Sequence, residues 1–119
     1  MACHARCSIV ISSTAMYFMA QGKISGVFDW GCSLYGDHLY ELAWFEFWEP
    51  WYPEMDVAYL RSALEQRWQD QGYVVENQED RLSVCYLHIG LDHLAYNAYT
   101  GDWEALAATA NQMKKLVQR

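Results

Sequence analysis

The apolar residues of this chain change their spacing once, and that change limits the fold more than any other feature. From Ala15 to Trp30 they run as strands do: Met16, Tyr17, Phe18 and Met19 lead into a Gln21-Gly22 turn, and Ile24 to Phe28 return from it. The hairpin predicted here closes at Asp29. Residues 30 to 36 hold two glycines, Gly31 and Gly36, and no helical period, which predicts a loop with positive φ within it. From Asp37 onward the period is helical.

Asp37 is placed to cap a helix carrying Leu39, Leu42, Ala43 and Phe45 up to Pro50, and Pro50 and Pro53 stop it. Asp56 is expected to cap a second helix, whose stripe is Val57, Leu60, Leu64 and Trp68, with Gly72 just past its end. After a polar linker, Leu82, Cys85, Tyr86, Ile89, Leu94 and Ala98 mark one face of a long helix, with His88, Asp92 and Asn97 on other faces and Gly101 closing it. Asp102 then caps a last helix with Trp103, Leu106, Ala107, Ala110 and Val117 on one side, and Lys114, Lys115 and Arg119 complement its negative end. The short Thr100-Gly101-Asp102 junction makes these two helices antiparallel neighbours. The predicted class is α+β, mostly helical: one hairpin followed by about four helices.

Composition narrows the function. In 119 residues, 15 Asp and Glu against 8 Lys and Arg give a net charge of −7, which argues against a surface that coats nucleic acid. With 53% apolar and 16% aromatic residues the chain can close one core. No apolar run reaches the length of a membrane-spanning helix. The stretch from Cys7 to Ala20 is broken by Ser8, Ser12, Ser13 and Thr14 and has no A-x-A site, so it is not read as a signal peptide. Cys3, Cys7, Cys32 and Cys85 lack the paired spacing of a disulfide framework, and reduced thiols in a cytoplasmic protein are expected. Cys3-His4-x-x-Cys7 lacks a fourth ligand and is not assigned a metal.

A carboxylate at the end of a strand, directly before a glycine-containing loop, is a rigid platform for a hard cation such as Mg²⁺, which makes Asp29 a candidate. The same position also suits an Asp that merely caps a turn. Glu41, Glu46, Glu49, Glu54 and Asp56 are interleaved with Trp44, Trp48, Trp51 and Tyr52. Such a segment either stacks on rings and holds cations, or is a core of aromatics beneath a solvated acidic face. His88 and Asp92, four residues apart on the long helix, are expected to form a hydrogen-bonded pair.

Three ordered motifs carry a resemblance. The chain reads Gly22-x-Ile24-x-x-Val27-Phe28-Asp29-Trp30, then Gly36-Asp37-x-x-Tyr40-Glu41-Leu42-Ala43, then Phe47-Trp48-x-Pro50-Trp51, with His88-Ile89-Gly90-Leu91-Asp92-His93-Leu94 further on. This order resembles the C-terminal lobe of the aminoglycoside phosphotransferase family, its hygromycin-type members above all, over about Ala15 to Lys115. The resemblance implies a C-lobe fragment of a protein-kinase-like fold, with residues 15–119 as the lobe and 1–14 unmatched. It implies that Asp29 holds Mg²⁺ between the phosphates of ATP, and that the reaction is transfer of a phosphoryl group to an antibiotic hydroxyl. Asp37 matches the family's second Asp, expected to be structural. The partner implied is a small polycationic aminoglycoside, for which Asp92, Glu46 and Trp48 are the candidate contacts.

The catalytic loop of that family, H-G-D-x-x-x-x-N, departs from this sequence. Counted back from Asp29, its His, Asp and Asn fall on Ile9, Ile11 and Met16, none of which can accept a proton or ligate Mg²⁺. No catalytic residue is therefore assigned. A two-lobed kinase does not fit in this length, so the expectation is a truncated member whose reading frame begins inside, or is shifted across, the catalytic loop. It is expected to lack independent activity. The alternative is a non-enzymatic module that self-associates through apolar surface left exposed.

Overall fold

The computed structural model describes residues 8–10, 16–28 and 34–118, with side chains described at 20–23, 25 and 36–118. Strands β2 (Met16–Ala20) and β3 (Lys23–Phe28) pair antiparallel, with a register shift between Phe18 and Met19. Gln21 and Gly22 join them with φ of 53° and 72°, the double left-handed turn whose twist matches a hairpin. The segment expected as a loop differs at its end. Leu34–Gly36 is a short strand, β4, paired antiparallel with β1 (Ser8–Val10), so the backbone amides of the 34–36 stretch are used by a ladder that no local pattern announces.

Helix α1 spans Leu39–Trp48, and a 3₁₀ turn over Glu49–Trp51 takes the chain through Pro50. Asp37 stands one residue ahead of the cap position, yet its Oδ1 accepts the Leu39 N–H at 3.0 Å and its carbonyl the Tyr40 N–H at 2.9 Å. Helix α2 spans Val57–Asp70, capped by Asp56 Oδ1 on the Tyr59 N–H at 2.9 Å, with Gly72 at φ 65° just past its end. Helix α3 spans Gln78–Thr100 and closes on Gly101 at φ 75°. Helix α4 spans Trp103–Val117, and Asp102 Oδ1 accepts the Ala105 N–H at 3.0 Å. A left-handed Gly followed at once by a capping Asp ends one helix and starts the next within two residues.

The core is an inter-helix seam. Leu39, Leu42, Ala43 and Phe47 of α1 meet Leu82, Cys85, Tyr86 and Ile89 of α3 and Leu116 of α4, while Leu64 and Trp68 of α2 close its edge. Each of the large aliphatic or aromatic groups contributes about 1.5–3 kcal/mol by leaving water. Gly90 lies on α3 against α4: a Cβ built there meets Met113 Sδ at 2.6 Å. Among the described residues no helix is long and apolar enough to cross a membrane.

Two helix faces differ from the sequence-based expectation. On α4 the buried residues are Thr109, Gln112 and Leu116, while Trp103 is 67% exposed and Val117 lies at the surface. The reason is polar: Gln112 Nε2 donates to the Phe47 carbonyl at 3.0 Å and the Glu46 carbonyl at 3.4 Å, satisfying groups at the end of α1 that have no helical partner. On α3, Asn97 is buried and Ala98 exposed, because Asn97 Nδ2 donates to Thr109 Oγ1 at 3.3 Å across the α3–α4 seam.

Candidate functional site

Helix α1 has two edges outside its core face, and they do different things. Tyr40, Trp44 and Trp48 recur every four residues and so stack along one edge. Their neighbours on α3 are imidazoles: Tyr40 and His88 rings lie 5.5 Å apart, with the Tyr40 hydroxyl and His88 Nδ1 hydrogen-bonded at 3.0 Å. The His93 ring lies 5.5 Å from Trp44 and 4.6 Å from Trp48, and Trp51 continues the row at 5.1 Å from Trp48. The result is a half-buried shelf of rings. Trp48 Nε1 is buried with no hydrogen-bond partner among the described residues.

Asp92 sits at the rim of this shelf. Its Oδ2 is 4.0 Å from His93 Nδ1, and its side chain is 77% exposed. Burial first, and then the charge of Asp92, push the Tyr40 phenol above its ordinary value. The pairing expected between His88 and Asp92 is not formed: His88 bonds to Tyr40, and His93 Nδ1 lies 3.0 Å from the Ile89 carbonyl. Ring faces beside one solvated carboxylate can stack on sugar or aminocyclitol rings and hold an ammonium group.

The other edge of α1 is closed upon itself. Glu46, a candidate substrate contact by sequence, is 7% exposed and turned inward. Its Oε1 accepts Arg61 Nη1 at 2.9 Å, and its Oε2 accepts the Tyr86 hydroxyl. Arg61 also donates from Nε to Glu65 at 3.0 Å and from Nη2 to Glu79, and Gln78 donates to Glu65 at 2.7 Å. This hub joins α1, α2 and α3. Burial and the bond to Glu46 drive the Tyr86 phenol far above its ordinary value; burial opposes the charge of Arg61, but Glu65 and Glu46 outweigh it. Both oxygens of Glu46 have partners within the fold: a buried carboxylate needs them, and a ligand would have to displace them.

Asp37 is occupied too. Arg81 of α3 grips it with both arms, Nε to Oδ2 at 2.7 Å and Nη2 to Oδ1 at 2.7 Å, and Arg81 Nη1 reaches the Glu76 carbonyl at 3.0 Å. Burial raises the Asp37 carboxyl, but Arg81 and the Leu39 N–H outweigh it and hold the group below its ordinary value. Asp29, assigned to Mg²⁺, and Cys3, His4 and Cys7 lie outside the described residues. Among the described residues no three His, Cys, Asp or Glu side chains gather as a metal needs, and both Asp37 oxygens accept from Arg81.

Of the sequence-predicted contacts, Trp48 and Asp92 each neighbour His93, while Glu46 is bonded to Arg61 and Tyr86. Sequence reasoning missed Arg61, Arg81 and the imidazole of His93. Only Arg61 left a local trace, its spacing of four residues from Glu65.

Residues 16–75 match the model of a phosphotransferase enzyme family. Hygromycin-B 4-O-kinase of Escherichia coli is 28% identical over 97 residues, which are 82% of this chain and 26% of that protein. Two crystal structures of a thermostable mutant of aminoglycoside phosphotransferase APH(4)-Ia superpose with a TM-score of 0.66, one a ternary complex with AMP-PNP and hygromycin B, the other with ADP and hygromycin B. They are 25% and 26% identical, and each match covers 95% of this chain and 38% of the other. The chain thus spans about a quarter of the curated relative's length.

Proposed function

Because the chain belongs to the phosphotransferase enzyme family, over whose model half its length aligns, we propose that these residues are the part of a hygromycin-type aminoglycoside phosphotransferase that holds the antibiotic. The observation that carries this reading is the ring-lined shelf around His93, whose ring lies 4.6 Å from that of Trp48 and whose Nδ1 lies 4.0 Å from Asp92 Oδ2. The shelf supplies stacking faces, and Asp92 supplies a solvated counter-charge for a polycation. The family reaction moves the γ-phosphoryl group of ATP, with Mg²⁺, to an antibiotic hydroxyl in the cytoplasm. Asp29 is assigned to Mg²⁺ from its motif alone, and Asp37 to fixing the start of α1 against Arg81.

The chain itself is assigned binding without turnover, since Ile9, Ile11 and Met16 fall where a proton acceptor and a second Mg²⁺ ligand belong. Isothermal titration with hygromycin B in Mg²⁺, without ATP, should give heat. Asp92→Asn and Trp48→Ala should each weaken binding about tenfold, roughly 1.4 kcal/mol. Labelled ATP should deliver no phosphate to hygromycin above a buffer control. Absence of heat from the wild-type chain would remove the binding role, and turnover would show the motif alignment to be wrong. A second reading, a self-associating module, is favoured by one separate observation, the exposure of the apolar Val84, Leu87 and Leu91 on α3.

A further inference from the structure

The ring of His93 reaches from α3 into the aromatic row of α1. It lies 4.6 Å from Trp48 and 5.5 Å from Trp44, its plane at 64° to each, an edge-to-face arrangement with both. The other ring contacts of Trp48 among the described residues are Trp44, Phe47 and Trp51, all in α1 or the 3₁₀ turn that follows it. Neighbours carried on the same stretch move with Trp48 and do not fix it relative to α3. His93 does. Its own orientation is held from below: Nδ1 lies 3.0 Å from the Ile89 carbonyl, and because a carbonyl oxygen only accepts, the proton is assigned to Nδ1, which donates one turn back along α3. Trp48 has no such bond. Its Nε1 is buried without a partner among the described residues, an orientation that the indole N–H does not favour, so packing is what sets the ring.

We propose that His93 is the positioning residue of the antibiotic shelf: a wedge from α3, set against Trp44 and Trp48, that fixes the stacking face of Trp48 before a ligand arrives. This role rests on the antibiotic-binding reading and adds what orients its rings. His93 acts through the tryptophans and through Asp92, its neighbour in the chain, whose Oδ2 lies 4.0 Å from Nδ1. Because one turn of α3 carries both the wedge and the counter-charge, seating the imidazole against Trp48 also sets where that charge stands relative to the rings. Rings ordered in advance need not be ordered on binding, so affinity is gained without a further contact to the ligand. The ring shape of His93 does this work, and the bond to Ile89 only steadies it.

Isothermal titration of the full chain with hygromycin B, paired with near-ultraviolet circular dichroism of the free chain, tests this. His93→Ala should weaken binding about tenfold and diminish the tryptophan bands, with unchanged far-ultraviolet circular dichroism. His93→Phe keeps a ring against both tryptophans and gives up the bond to Ile89; it should return affinity to within about threefold of wild type. His93→Gln, polar but without a ring, should behave as His93→Ala does. A merely structural residue would lower the folded fraction and leave the affinity of the folded chain where it was. Should His93→Ala not fold, the Phe and Gln variants carry the same comparison. Heat from the wild type with unaltered affinity in His93→Ala, or a Phe variant as weak as the Gln variant, would overturn the positioning role and leave the antibiotic reading standing. No heat from the wild type removes that reading and this role with it.

Discussion

The two edges of α1 make an instructive pair. Both carry side chains that look ready for a ligand, Glu46 on one and Trp48 on the other, two residues apart in sequence. On the Glu46 edge Arg61 gathers three carboxylates and Tyr86 adds a hydroxyl, so every polar atom of the buried carboxylate is answered from within. On the Trp48 edge the rings meet other rings and leave faces half open, with Asp92 solvated beside them. An acidic, aromatic segment thus divides by helix geometry into a part that holds the fold and a part free to hold something else.

Removing Arg61 should break the first edge most severely. Arg61→Ala leaves Glu46 buried without its cation, and urea unfolding should show a loss of about 3 kcal/mol. Hygromycin binding by the fraction still folded should be unchanged; if binding falls as far as stability does, the two edges are not separate. Next in size is Gly90→Ala, which drives a methyl into Met113 and should cost about 2 kcal/mol, recovered in part by Met113→Ala. The division itself should survive that change.

Asp37→Asn should cost less, about 1 kcal/mol, since both partners are partly solvated. Its pH dependence carries a sign. The folded-state carboxyls of Asp37 and Glu65 lie below their ordinary values, so their stabilisation is present above the unfolded values of about 3.9 and 4.3 and is lost as pH falls through the lower folded ones. Wild-type stability should therefore drop below about pH 4, and the Asp37→Asn profile should be flatter there. Smallest of all, Asp92→Asn should shift stability by no more than about 0.5 kcal/mol while lowering antibiotic affinity. That contrast with Arg61→Ala is the sharpest measure of the two edges.

Much of the fold was legible because it is written locally. Gln21-Gly22, Asp56, Gly72, Gly101 and Asp102 each act on backbone within a few residues, and each marks a boundary near where the sequence places it. What escaped was written at long range. Arg81 finds Asp37 across 44 residues and Tyr86 finds Glu46 across 40, and no period in either segment encodes the meeting. The buried face of α4 escaped for a related reason: Thr109 and Gln112 go inside to answer Asn97 and the carbonyls ending α1, which outweighs the hydrophobicity of Trp103. Trp48 and Asp92 were both chosen from sequence, but what links them is His93, whose place against Trp48 only the packing of α3 on α1 reveals.

The two-residue passage from α3 to α4 bears on the order of assembly. The helices it joins make the broadest contact between any two in the body, and they are neighbours in the chain. Closing a loop that short costs little entropy, so this hairpin can form before α1 arrives from far upstream. Amide exchange should then find the Gly90 to Met113 seam among the last to open, with the aromatic row of α1 laid down afterwards on a ready surface.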